Sequence, residues 1–160
     1  MFITRDDGPR ARQTITTMAN QWMTNANQRQ KNRALAVVLF PEGRLFTPKV
    51  HDRSMKKLAE RDPDRATRLA PLTGLLPPKS GGLGLLLEAL PTADVVLLNH
   101  SGLDSLGKIS KLPKHLPVGR SVTVSAARIP RKSVPEQPDE LTRWLDDLWL
   151  DLDRQLTPKN

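Results

Sequence analysis

Apolar side chains recur along this chain in two rhythms. Ile15, Met18, Ala19, Trp22, Met23 and Ala26 fall at i, i+3, i+4, i+7, i+8 and i+11, opposite Gln, Asn, Arg and Thr. That spacing predicts an amphipathic helix over residues 10–30. Leu141, Trp144, Leu145, Leu148, Trp149, Leu152 and Leu156 form a similar stripe near the end of the sequence, with Asp139 placed to cap the helix. Residues 34–40 read Ala-Leu-Ala-Val-Val-Leu-Phe, with no alternation and a β-branched centre. A run of that kind predicts a strand buried on both faces, as in a parallel sheet. Residues 93–98 predict a second buried strand, and the alternating residues 121–126 a third. Shorter helices are expected over residues 54–60, 64–69 and 81–90, and a loop over 71–78. Strands alternating with helices predict an α/β fold: a mostly parallel sheet flanked by helices, in a single domain over residues 1–160. Phe2-Ile3-Thr4 reads as the tail of a strand, so the domain is expected to be incomplete at its N-terminal side.

Composition narrows the chemistry. The chain has 160 residues, 38 % of them apolar, with 25 Lys and Arg against 17 Asp and Glu, a formal charge of +8. There is no cysteine, which removes disulfides, thiolate nucleophiles and zinc–thiolate sites. The three histidines, His51, His100 and His115, are too few for a histidine-rich metal cage, so no metal site is expected. No apolar run approaches the roughly 20 residues that span a bilayer, and the first residues lack a signal-peptide core. A reducing compartment is expected, and the positive excess suits phosphate-bearing partners.

The most informative stretch is residues 37–47. The expected strand delivers Pro41, Glu42, Gly43 and Arg44 at its C-terminal end, the edge at which open α/β sheets bind ligands. Pro41 fixes a turn, Gly43 lets backbone approach a ligand, and the Arg44 guanidinium matches a phosphate. Glu42 is suited to hold that arginine or to accept from a substrate hydroxyl. The plainer reading is a strand-ending turn with solvated charges.

Phe40-Pro41-Glu42-Gly43 resembles the Phe-Pro-Glu-Gly-Thr-Arg block of the 1-acylglycerol-3-phosphate (lysophosphatidic acid) acyltransferases, members of the glycerolipid acyltransferases. Other blocks follow in that family's order. Phe2-Ile3-Thr4-Arg5 looks like the end of the preceding block, whose arginine contacts the glycerol phosphate. Residues 75–82, Leu-Leu-Pro-Pro-Lys-Ser-Gly-Gly, are similar to a Leu-Pro-Arg-Thr-Lys-Gly stretch, and Trp144-Leu145 with Trp149 are similar to the ending of one subgroup. The resemblance implies transfer of a fatty acyl group from acyl-CoA or acyl carrier protein to the 2-hydroxyl of 1-acylglycerol-3-phosphate, in phospholipid synthesis. No cofactor is implied beyond that donor. Arg5, Glu42, Gly43 and Arg44 would bind the substrate phosphate, and Pro41, Pro77 and Lys79 would line the cleft. The protein would sit peripherally on the cytoplasmic side of an anionic membrane.

Two departures stand out. Arg44 comes one position earlier than the family's arginine. The family's His-x4-Asp block, whose histidine takes the proton from the glycerol hydroxyl, belongs upstream of Phe2 and does not occur in these residues. The chain is therefore expected to be the C-terminal, phosphate-binding portion, with no catalytic base of its own. Asn99, His100 and Asp104 form the nearest substitute, but their spacing is His-x3-Asp and they follow the Glu-Gly block instead of preceding it. A strand-end histidine with ordinary hydrogen bonds accounts for His100 as well, and His51-Asp52 and His115 read as surface-loop residues. Lys108, Lys111, Lys114, Arg120, Arg128, Arg131 and Lys132 form a basic second half, suited to anionic headgroups, to coenzyme A phosphates or to solvent. The alternative function is a non-catalytic basic module that binds anionic lipid or nucleic acid. Aromatic residues at 4 % and the lack of tyrosine argue against nucleic acid, because stacking platforms are scarce.

Overall fold

The computed structural model describes residues 36–101 and 123–156, with the isolated helical positions Gln13 and Thr17. The first helix with described bounds, α1 (Pro48–Arg61), begins where Thr47 Oγ1 accepts from the Val50 N–H at 3.2 Å and proline occupies the first turn. Asp62 ends it and starts α2 (Pro63–Leu69), accepting from the Arg65 N–H at 3.0 Å. After a turn over residues 70–79 come α3 (Ser80–Ala89), β1 (Val95–Ser101), β2 (Thr123–Ile129), a 3-10 turn (Arg131–Ser133) and α4 (Pro138–Leu156). The helices expected over 54–60 and 64–69 are present with extended bounds, and the one expected over 81–90 is present one residue earlier. The last helix starts at Pro138, so Asp139 lies within its first turn.

The sheet corrects the expected fold class. Among the described residues it has two strands, and they run antiparallel: Val95 pairs with Ile129, Leu98 with Ala126 and Ser101 with Thr123. This is not a mostly parallel sheet flanked by helices. The expected strand over 34–40 is also corrected in its described part: residues 36–40 take no regular structure, and Val38 and Phe40 are 70 % and 79 % exposed. An unbroken apolar run becomes a central strand only where neighbours supply a hydrogen-bond ladder and two covering layers. Residues 36–40 have neither among the described residues. Instead the Phe40 carbonyl closes a turn by accepting from the Gly43 N–H at 3.0 Å.

The core lies under α4. Leu87, Val134 and Leu141 form a buried cluster, with Leu83, Val95, Ile129 and Trp144 packed against it. Gly84 keeps α3 close to α4: a Cβ added there would stand 3.6 Å from Leu141 Cδ2. Ala66, Leu69, Leu72 and Leu76 are also buried, along α2 and the turn that follows. One sheet face is thus held inward by Val95 and Ile129. The other carries Val96, Leu98 and Val124, all more than half exposed. Asp94 ties the base of the sheet to the 3-10 turn, accepting from the Arg131 N–H at 2.8 Å and from Arg128 Nε at 2.7 Å. The backbone bond first, and then the Arg128 side chain, hold its carboxyl below the ordinary range.

Candidate functional site

The corner at residues 40–44 is built by a glycine. Gly43 has φ +65°, the left-handed conformation that side-chain-bearing residues avoid. Its turn leaves Gly43 and Arg44 exposed while Pro41 and Glu42 are half-buried. Phe40 and Leu45, on either side, are 79 % and 78 % exposed.

Glu42 points its carboxylate at the protein. Oε1 accepts from Trp149 Nε1 at 3.2 Å, and the Leu76 backbone N–H also donates to the carboxylate. Burial raises its pKa above the ordinary value, and the charge of Asp153 adds to that. The two hydrogen bonds pull the other way. Glu42 is therefore a tie between the corner and α4.

The turn over residues 70–79 meets the corner from the other side. The Lys79 N–H donates to the Pro41 carbonyl at 3.1 Å, and Lys79 Nζ lies 3.5 Å from the position a Cβ on Gly43 would occupy. Pro77, two positions before Lys79, is half-buried. Lys79 is also the residue at the N-terminus of α3, with extended backbone and no side-chain cap bond. The structure thus joins Pro41, Glu42, Gly43 and Lys79, which the sequence separates by more than thirty positions. Arg44 stands next to them on the exposed limb of the turn. Arg5 lies outside the described residues.

The turn owes its shape to α4. Asp153 Oδ2 accepts from the Thr73 N–H at 3.0 Å and from Thr73 Oγ1 at 3.1 Å, and Oδ1 accepts from the Gly74 N–H at 2.8 Å. Asp146, fully buried, accepts from Arg65 Nε at 2.8 Å, Arg65 Nη2 at 2.7 Å and Arg68 Nη2 at 2.5 Å. Asp146, Trp149 and Asp153 line one inner stripe of the helix, each holding a different segment of backbone or side chain. Sequence reasoning named Trp149 for its apolar face and for the family resemblance, not as a hydrogen-bond donor, and missed both acids. Their signal was position: each directly follows an inward apolar residue, Leu145 or Leu152, seven residues apart.

Asn99 and His100 lie on β1, with His100 exposed and paired with Val124. Asp104 lies outside the described residues, as do the basic positions 108–120. His51 is not in a loop but in the first turn of α1, its ring 5.9 Å from that of Phe46. Among the described residues no cluster of three or more His, Asp or Glu is placed to hold a metal ion, and no helix is long and apolar enough to cross a membrane.

Comparison of the chain with family models, with curated proteins and with solved structures found no match.

Proposed function

We propose that this chain supplies the phosphate-gripping part of an acyltransferase site for 1-acylglycerol-3-phosphate, the acyl group coming from acyl-CoA or acyl carrier protein. The observation that carries this reading is the junction of the Gly43 corner with Lys79. Two separate segments, both resembling blocks of the glycerolipid acyltransferases, meet through the Lys79–Pro41 hydrogen bond and place an ammonium beside an open glycine turn. Arg44 adds an exposed guanidinium one residue on. A phosphate entering there gains charge-assisted hydrogen bonds and the favourable end of the α3 dipole.

Phe40 and Leu45 suit the same reading. Apolar side chains flanking cations are what a peripheral protein uses to seat in an anionic interface. A phosphate at headgroup depth would then meet Arg44 and Lys79 while the acyl chain stays in the lipid. No histidine among the 160 residues is followed five places on by aspartate, so the reading gives this chain the grip on substrate and not the proton abstraction.

The test is flotation of the full chain with phosphatidylcholine vesicles carrying lysophosphatidic acid or phosphatidylserine at matched charge. Preference for lysophosphatidic acid, lost in Arg44→Ala and Lys79→Ala, is expected. Equal binding to both lipids would favour a basic module indifferent to the headgroup. Binding unchanged in both variants would remove the corner as the site.

A further inference from the structure

The proposed phosphate site hangs on one peptide plane. The Pro78 carbonyl and the Lys79 N–H belong to a single rigid unit, and each end is tied. The N–H donates to the Pro41 carbonyl at 3.1 Å, and the carbonyl accepts from Arg65 Nη2 at 2.8 Å. The Arg65 guanidinium is itself gripped at two atoms by Asp146, whose side chain is wholly excluded from solvent. Arg68 binds the same carboxylate through Nη2, and its Nε is buried without a hydrogen-bond partner. Two arginines therefore share one acid, and of the two it is Arg65 that donates to the Pro78 carbonyl.

We propose that Arg65, locked by Asp146, is a positioning residue of the phosphate site, an inference that rests on the reading above. By fixing the Pro78–Lys79 plane it sets both the bond that holds Pro41 and the departure of the Lys79 side chain toward Gly43. Releasing the carbonyl frees that plane to rotate, which separates the ammonium from the corner without touching any group that meets the ligand. Arg68 shares the stabilising role through Asp146 but lacks the connection to the plane. The two arginines thus separate fold stability from site geometry.

The experiment titrates sn-glycerol 3-phosphate into the full 160-residue chain, following affinity by calorimetry and the Lys79 and Gly43 amides by NMR. Wild type, Arg65→Met and Arg68→Met are compared below the melting temperature of each. Both variants are expected to melt earlier. Arg65→Met is expected to bind at least tenfold more weakly and to shift the Lys79 amide, while Arg68→Met stays within twofold of wild type. Equal weakening in the two variants, or wild-type affinity in Arg65→Met, would overturn the assignment. If circular dichroism shows Arg65→Met unfolded, Arg65→Lys takes its place, since a single ammonium cannot reproduce the planar fork; unaltered affinity there also overturns it. Failure of the wild-type chain to bind glycerol 3-phosphate removes the phosphate reading itself and this role with it. Binding by wild type with Arg65→Met unaffected removes only the role of Arg65.

Discussion

The indole N–H of Trp149 donates to Glu42 Oε1 at 3.2 Å, joining the middle of α4 to a turn that lies 107 residues earlier. The bond gives a buried tryptophan the partner its N–H requires, and it takes the glutamate away from solvent. The corner at Gly43 is thereby anchored to the helix that buries the most residues among those described.

Trp149→Phe keeps the ring's packing and removes the donor. It is expected to destabilise the chain by about 1–3 kcal/mol, because Glu42 loses a partner while half-buried. Urea unfolding followed by circular dichroism measures this. Trp149→Leu, which loses the aromatic volume as well, is expected to fall further.

Gly43→Ala is expected to lower stability by about 1–2 kcal/mol through backbone strain at φ +65°. A clash is not the cause, since the added Cβ would meet only Lys79 Nζ, at 3.5 Å. Gly43→Asn, which tolerates the left-handed region better, should lose less. Thermal melting of the two variants side by side decides between strain and crowding.

Asp146→Ala leaves Arg65 and Arg68 without their shared carboxylate. Breaking a buried ion pair on one side typically removes about 3–5 kcal/mol, and a loss of that order is expected by chemical denaturation. Asp151→Ala, which breaks the exposed pair with Arg154 on the same helix, is expected to cost less than about 1 kcal/mol.

The pH dependence of stability carries two opposite slopes. Glu42 has a raised pKa in the folded protein, so the native state holds its proton more tightly than the unfolded chain. Its contribution is favourable below the ordinary carboxylate value and is lost as pH rises through the raised one. Asp94 is lowered, so its contribution is present above its ordinary value and lost as pH falls through the depressed one. Glu42→Gln is therefore expected to gain stability relative to wild type as pH rises out of the carboxylate range. Denaturant midpoints at several pH values would show it; a constant difference between the two proteins would contradict it.

The helices were legible as elements because apolar spacing is local, but the start of α1 was not: the expected helix begins at residue 54, whereas Thr47 and the proline after it start it at Pro48. Asp62 and Pro63 start α2 in the same way, one residue before the expected bound. The apolar stripe of Leu141, Leu145, Trp149 and Leu152 identifies the inner face of α4 directly. Strand pairing is not local: the run at 95–98 looks alike whether its neighbour runs with it or against it, and the register with residues 126–129 lies in backbone bonds. Residues 36–40 misled for the same reason, since apolar composition reports an appetite for burial and not its satisfaction. In the site, the Glu42-Gly43 turn and Lys79 were readable as types. Their meeting was not, because it depends on Arg65, Asp146 and Asp153, charged residues that sequence patterning assigns to the surface.

Helix α1 contributes none of its fourteen residues to the buried set. Its lysines and arginines at 49, 53, 56, 57 and 61 are all exposed and can be replaced over generations while the acids of α4 keep their grip on the rest. Tolerance to change in this fold is thus unevenly distributed: broad along α1, and narrow at Asp146 and Asp153.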